Sequence, residues 1–300
     1  MTTFDPSAPL TDDERAWLHA SAAALGLAPE QVHATPFAAT EGGMVLSTDP
    51  GASLIPVHLT DRGAVFLAET AHVAEGETLA ITCPRGDPVR VVMGRLSIAP
   101  GARVAAHTHL ALEAATVVAA GPVELVGKDG KKGDPGKPGQ KGDVNARKAG
   151  DDGGRGGDGI AGTDGPGGTL WFGEVSGTLT VVAGGGSGGD AGAGGDGGRG
   201  VDVGGNDRGG RGGAGGPGGR GGDAGNGGTV LITYGRLADG AEIHPLMRQG
   251  LPGRAGAPGA RGDGGSPTFM HGACGSLGAY GNPGTPPDFV IRCVPDVPKP

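Results

Sequence analysis

The chain has 300 residues, of which 68 are glycine and only 3% are aromatic, and its formal net charge is −8 at pH 7. So few large apolar side chains cannot order the whole chain by burial, which excludes a conventional globular core throughout. The acidic balance, with aspartates between the arginines, excludes nucleic acid as a main partner.

Targeting signals are missing from the sequence. The N-terminal residues hold no basic stretch followed by an apolar one, so we expect no secretory signal peptide. No run of about 18 apolar residues occurs, so we expect no membrane span. These features predict synthesis in the cytoplasm, with any extracellular destination reached on a particle or by a non-classical route.

Residues 1–40 are predicted to form a helical cap. Thr11 is followed by three acidic residues, and Glu14 has the capping-box spacing from it. Trp17, Leu18 and Ala22 then recur at helical spacing. We interpret this helix as a packing element, with docking to a larger assembly as the alternative.

Residues 41–126 alternate between short apolar stretches and turns. Val89–Val92 and Val123–Val126 are typical strand sequences, and Gly121-Pro122 is a typical turn. Short strands with small residues at the turns favour a β-solenoid, in which each coil stacks on the previous one.

Residues 127–300 alternate between glycine tracts and strands. In each tract glycine recurs at every third position, the register breaks, and the period then resumes. The tracts are residues 127–168, 184–228 and 250–286. The strands after them are residues 169–183, 229–237 and 288–294. The breaks fall at residues 144–149, 201–203 and 266–271.

Glycine at every third residue indicates polyproline-II geometry, which makes no internal hydrogen bonds. Every backbone N–H and C=O group in such a tract therefore needs a partner from outside it. We interpret each tract as a hairpin that runs out, turns at its break and returns. Disordered linkers and an intermolecular collagen helix are the alternatives.

The predicted fold class is thus mainly β plus polyglycine-II. It consists of an N-terminal capping helix, a β-solenoid core and a six-helix antiparallel polyglycine-II bundle made of three hairpins. The tracts resemble the polyglycine-II sandwich of bacteriophage tail-fibre adhesins and the six-helix plan of snow flea antifreeze proteins. They are also similar to bacterial collagen-like glycine-rich proteins. The first resemblance implies that ligands are bound by loops at the bundle tips.

The three breaks are therefore the candidate binding tips. The third tip carries large side chains in a region that otherwise has few, and an exposed aromatic residue beside a methionine is typical of a contact site. A local cluster that seals the turn is the alternative. The candidate tip residues are Asn145, Arg147, Asp202, Phe269, Met270 and His271.

A second candidate site resembles the first metal-binding motif of cupins. His107 and His109 lie two residues apart on a predicted strand, and Glu113 follows. Two imidazoles and a carboxylate suit iron, manganese or zinc. The second cupin motif is missing, since the next histidine is His244, so the same residues are also explained as one strand of the solenoid.

These observations predict a non-enzymatic structural or adhesive protein without a cofactor. Its tips would bind a surface glycan or a protein, and its N-terminal helix or solenoid end would join a larger assembly. Ice binding is the first alternative, although it needs a flat face of small residues and the tracts contain many Arg and Asp side chains. A metal-dependent cupin-like enzyme is the second.

Overall fold

The structure is a computed structural model that describes residues 8–33, 37–39, 44–47, 55–60, 63–83, 87–143, 149–204, 208–267 and 269–295. Helix α1 spans Asp12–Ala24, and a turn of 3-10 helix spans Pro29–Gln31. The strands are β1 (Phe37–Ala39), β2 (Met44–Ser47), β3 (His58–Thr60), β4 (Gly63–Val73), β5 (Thr78–Thr82), β6 (Val89–Ile98), β7 (Arg103–Ala106), β8 (Leu110–Ala119), β9 (Pro122–Val126), β10 (Gly168–Gly184), β11 (Thr229–Leu237), β12 (Glu242–Met247) and β13 (Asp288–Cys293).

The strands pair in two rows within one 13-stranded sheet. The first row is β1-β4-β6-β8-β10-β11-β13, and the second is β2-β5-β7-β9-β10-β12. These pairings are parallel, whereas β3 joins β4 in the antiparallel sense. Strand β10 belongs to both rows, so the sheet curls and one core contains side chains from both.

The core is built from ladders of apolar side chains that cross neighbouring strands in register. One ladder consists of Phe66, Val91, Leu112, Leu170 and Ile232. All five are fully buried. Successive residues of a strand point to opposite faces, so such a ladder places one apolar face of each strand on the core.

Helix α1 packs on the outer face of the first row. Its N-terminus confirms the capping-box prediction, because Glu14 N–H donates to Thr11 Oγ1 and Thr11 N–H donates to the Glu14 carboxylate. Trp17 and Leu18 are buried, and the Trp17 ring stacks on Trp171 with centroids 5.3 Å apart. The helix thus covers apolar residues on the sheet's outer face.

A buried ion pair also joins α1 to the sheet. Arg95 on β6 donates from Nε to Glu14 Oε1 at 2.8 Å and from Nη2 to Glu14 Oε2. Both side chains are buried. Burial by itself raises the pKa of Glu14, but hydrogen bonds from Arg95 and Thr11 outweigh it and hold the pKa below its usual value.

The glycine tracts form six extended segments beside the sheet. We name them S1 (127–143), S2 (149–165), S3 (185–204), S4 (208–228), S5 (250–266) and S6 (269–287). Backbone hydrogen bonds connect neighbouring segments at three-residue spacing; for example, Gly130 N–H donates to Ser187 C=O, and Gly133 N–H donates to Asp190 C=O. We call this arrangement the glycine array.

The bonding pattern gives the directions of the segments. The residue numbers of donor and acceptor rise together from bond to bond in four pairs of segments, which therefore run parallel. These pairs are S1 with S3, S3 with S5, S2 with S4, and S4 with S6. S1 and S2 run antiparallel, because the acceptor's residue number falls as the donor's rises. Gly154 N–H donates to Lys137 C=O, and Gly157 N–H donates to Asp134 C=O. S1, S3 and S5 therefore lie side by side in one layer, and S2, S4 and S6 return in the other.

The predicted fold class is wrong in its architecture. Of the described residues 35% are strand and 6% helix, and the strands form a curled, mixed half-barrel sheet instead of a β-solenoid core. The cause is the unbroken 17-residue strand β10, which joins the two rows, together with the antiparallel β3–β4 pair.

The predicted six-helix antiparallel polyglycine-II bundle is corrected as well. Helix α1 is the single α-helix in the described part of the chain, and the described tract residues hold no helix. Glycine instead recurs at every third residue, which matches the spacing at which backbone N–H groups donate to a given neighbouring extended segment. The predicted division of the chain at residues 40 and 126 stays a prediction.

Candidate functional site

The three predicted tips differ in what the structure describes. Asn145 and Arg147, in the first, lie outside the described residues. Asp202 lies at the end of S3, in the second. Phe269, Met270 and His271 follow the third turn and begin S6.

Asp202 serves the array itself. Its Oδ1 accepts the backbone N–H of Ser266 at 2.8 Å, and Arg199 Nη2 donates to its Oδ2 at 3.0 Å. The Ser266 N–H is the main cause that lowers the pKa of Asp202, and the positive charges of Arg199 and Lys141 add to it. This carboxylate therefore joins S3 to S5, and its predicted ligand contact stays a prediction.

The same contact recurs along both layers of the array. Backbone N–H groups of S4, S5 and S6 donate to Asp or Asn side chains of the preceding segment in the same layer, which is S2, S3 or S4 respectively. The contacts are Asp152 with Ala214, Asp158 with Arg220, Asp164 with Asn226, Asp190 with Arg254, Asp196 with Ala260, Asp223 with Asn282 and Asn226 with Thr285. Aspartate side chains of the tracts thus supply hydrogen-bond acceptors to backbone N–H groups of the neighbouring segment, which a glycine, having no side chain, could not do.

We expect Asp196→Ala to destabilise the array, because the N–H of Ala260 loses its 2.7 Å acceptor. A hydrogen bond of this kind contributes about 1 kcal/mol. Asp196→Asn keeps an acceptor oxygen, as Asn226 does for Thr285, and is expected to cost less. Denaturant unfolding of both variants measures the difference, and equal losses would contradict the role of the side-chain oxygen.

The third tip is held in place by backbone contacts. Phe269 has a φ of +47°, which is uncommon for a residue with a side chain, and its N–H donates to Gly265 C=O at 2.9 Å. A Cβ at Gly264 would lie 2.3 Å from Met270 N, so this approach requires glycine. His271 Nδ1 lies 3.2 Å from Asp263 Oδ1.

The fixed tip nevertheless leaves its large apolar side chains in solvent. Phe269 and Met270 are each 56% exposed. A cluster that sealed the turn would bury them, so their exposure favours the contact-site interpretation over the local-cluster alternative.

The exposed surface at Phe269 and Met270 continues along S6, whose residues fall into three rows because its contacts repeat every three residues. Gly272, Gly275 and Gly278 donate to S5, whereas the carbonyls of Ala273 and Ser276 accept from S4. Apart from His271, which contacts Asp263 and Gly264 of S5, the third row of S6 makes no backbone hydrogen bond to S4 or S5 among the described residues. It carries His271, Cys274, Leu277 and Tyr280, all of which are exposed. We call this row, together with Phe269 and Met270, the S6 ridge.

Leu277 and Tyr280 are 63% and 64% exposed, and sequence reasoning missed both as site residues. Their signal was available, since they continue the three-residue spacing of His271 and Cys274 in the last tract. The sequence could not show that this row is the one without a neighbouring segment.

The described residues do not bring the predicted metal ligands together. His107 Nδ1 lies 3.1 Å from Val126 O. Glu113 faces Arg90 across neighbouring strands, with Arg90 Nη1 3.0 Å from its Oε1. Burial raises the pKa of Glu113, and the Arg90 charge partly offsets this. No cluster of three His, Cys, Asp or Glu side chains that could hold a metal ion, His109 included, occurs in the ranges described.

A groove of about 1020 Å³ lies beside α1 on the outer face of the first row. Trp17 forms part of its wall. Its charged side chains include two ion pairs, Arg95 with Glu14 and Arg236 with Glu174. These pairs bind α1 to the sheet and β11 to β10, so they act within the fold.

Comparisons with known proteins leave the family open. No protein-family model matches the chain, and no curated protein matches it. One solved structure is similar, a springtail antifreeze protein from Granisotoma rainieri described as a nine polyproline type II helical bundle whose crystal waters match the ice lattice. It is 29% identical over 52% of this chain and 93% of that chain, with a TM-score of 0.14, which does not establish a shared fold.

The collagen-like, adhesin and tail-fibre interpretations are corrected by the fold. The described residues form a curled half-barrel sheet with one helix, which supports none of the three. In the described ranges no helix is both long and apolar enough to cross a membrane.

Proposed function

We propose that the protein is a non-enzymatic structural binding protein that presents the S6 ridge to the surface of a partner protein. The observation that carries the proposal is the exposure of Phe269, Met270, Leu277 and Tyr280 along one segment. Aromatic residues and methionine are enriched where proteins contact one another.

The chemistry of the ridge favours a protein partner. Tyr280 and Phe269 supply large, stiff apolar surfaces, and His271 with Asp263 adds a polar pair at one end. A ridge of this kind fits an apolar groove with polar groups at its end. The glycine array contributes stiffness, because S6 is bonded to both S4 and S5 and little ordering is left for the moment of binding.

A ridge variant with Leu277→Ser and Tyr280→Ser tests the proposal. Both side chains are mostly exposed, so the fold is expected to persist. Immobilised wild-type and variant proteins are compared for the proteins that they retain from the source cells, quantified by mass spectrometry. We expect at least a tenfold loss of the retained partner, as for the removal of two contact residues worth about 1.4 kcal/mol together.

A matched control separates the ridge from the rest of the array. Lys132→Ser and Lys141→Ser change two exposed residues of S1, at the opposite edge of the array. This control is expected to retain the partner at the wild-type level. Equal retention by the ridge variant and the wild type would refute the proposed function.

A further inference from the structure

Among the described residues, strand β13 ends the first row of the sheet and pairs with β11 alone, so its other edge is unpaired. Asp288 N–H donates to Gly228 C=O, and Val294 N–H donates to Tyr234 C=O on its β11 side. Backbone groups alternate between the two sides of a strand in a parallel ladder. The N–H and C=O groups of Phe289, Ile291 and Cys293 therefore face away from β11.

The core is uncovered at this same edge. Ile291 pairs with Ile232, which pairs with Leu170, so it extends a core ladder by one strand. Ile232 and Leu170 are fully buried, whereas Ile291 is 40% exposed. One further strand beside β13 would complete the burial of this ladder.

The last strand of the second row is protected and β13 is not. Arg248 N–H donates to Ala183 C=O, so the odd-numbered residues of β12 face outward, among them Pro245. Proline has no N–H to offer, and its place on an edge strand prevents the addition of another strand. Strand β13 contains no proline.

We propose that β13 pairs with β13 of a second copy of this chain, antiparallel, about a two-fold axis at Val290. In this register Asp288 lies opposite Arg292 of the second copy, and Phe289 lies opposite Ile291. The two-fold axis makes each of these contacts occur twice. The pairing covers the outer edge of β13 in both copies, so this contact closes as a dimer and does not propagate.

The sequence of β13 fits this register in charge and in hydrogen bonding. Asp288 and Arg292 have no ion-pair partner within the described part of the chain, and the antiparallel pairing supplies one to each. The backbone N–H and C=O groups of Phe289 and Ile291 face the second copy. Each Phe289–Ile291 pair therefore exchanges both backbone hydrogen bonds.

Other registers lose these contacts. A slip by one residue would turn the core-facing row of one copy toward the outer face of the other. A parallel pairing in register would place Asp288 beside Asp288 and Arg292 beside Arg292, and like charges directly opposite destabilise a sheet. The antiparallel register about Val290 therefore fits this edge better than either alternative.

A disulfide tests the register directly. Val290→Cys, in a chain whose native cysteines are alanine, places two thiols on the two-fold axis in a non-hydrogen-bonded pair, where the Cα separation of about 4.5 Å suits a disulfide. We expect oxidation to give a species of about twice the 29.1 kDa chain mass. Asp288→Cys and Arg292→Cys chains are expected to cross-link when mixed and not when oxidised separately.

Charge exchange and an edge proline test the dimer in solution. Asp288→Arg is expected to weaken dimerisation at least tenfold in analytical ultracentrifugation, and Asp288→Arg with Arg292→Asp is expected to restore it. Ile291→Pro removes an outward N–H without breaking a bond to β11, so it is expected to give a folded monomer by circular dichroism. A monomeric wild type, an open series of larger species or cross-linking in the wrong pairs would overturn the proposal.

Discussion

Gly195→Ala is expected to lower the free energy of unfolding by about 3 kcal/mol, which corresponds to a Tm decrease of roughly 6–12 °C. Gly195 lies in the middle of S3, and its N–H donates to Gly154 C=O in S2. A Cβ there would lie 2.1 Å from the carbonyl oxygen of Lys137 and 2.9 Å from that of Gly136. Both obstacles are backbone atoms, so S1 and S3 must move apart and their hydrogen bonds must lengthen.

Gly204→Ala is the matched control for this experiment. The same methyl group added at Gly204 meets no atom of the described residues within 4 Å, and Gly204 has no positive φ. We expect its Tm to stay within about 2 °C of the wild type. Thermal unfolding followed by circular dichroism measures both variants. An unchanged Tm in Gly195→Ala would mean that close backbone contact does not stabilise the array.

Arg95→Met is expected to cost about 3 kcal/mol or more, because it leaves the buried Glu14 carboxylate without its partner. The variant also removes the hydrogen bond from Arg95 Nη1 to Ala8 C=O. Adding Glu14→Gln is expected to recover most of the loss, since glutamine is neutral and still accepts the Thr11 N–H of the capping box. Denaturant unfolding of the single and double variants measures the recovery.

The same ion pair predicts a dependence of stability on pH. The folded-state pKa of Glu14 lies below its usual value of 4.5, so the folded protein holds this proton less tightly than the unfolded chain does. Its contribution to stability is therefore fully present above pH 4.5 and is lost as the pH falls through the lowered pKa.

The single Glu14→Gln variant isolates this pH effect. Glutamine does not titrate, so the loss of stability that Glu14 causes below pH 4.5 is expected to disappear. Unfolding measured at a series of pH values from neutral to acidic tests it. If wild type and Glu14→Gln lose stability in parallel below pH 4.5, Glu14 is not the group responsible.

Local signals predicted local structure well. The start of α1 was readable because the capping box needs only Thr11 and Glu14, which lie on adjacent turns. Alternating stretches such as Val123–Val126 lie in a strand, β9. The three-residue glycine period coincides with positions where backbones approach closely, as at Gly195, since the sterics of a missing Cβ are a property of the single residue.

Long-range arrangement was where prediction failed. The partner of Glu14 is Arg95, far along the chain, and nothing in the local pattern of either residue selects the other. The acceptance of the Ser266 N–H by Asp202, from another segment, was likewise not readable from the sequence, and the ligand contact predicted for Asp202 stays a prediction. The β-solenoid prediction failed in the same way, because strand spacing does not specify that β10 runs unbroken through two rows.

The sequence by itself determined the helix cap, the positions that must be glycine and the presence of large side chains near residues 269–271, because each depends on single residues or on neighbours in the chain. Only the tertiary structure decided which row of S6 has no neighbouring segment, and so that Leu277 and Tyr280 extend the ridge. It also decided that β13 lies at an edge of the sheet with its outer side unpaired among the described residues. Exposure and edge position are relations between segments distant in sequence, and the packing of the whole chain sets them.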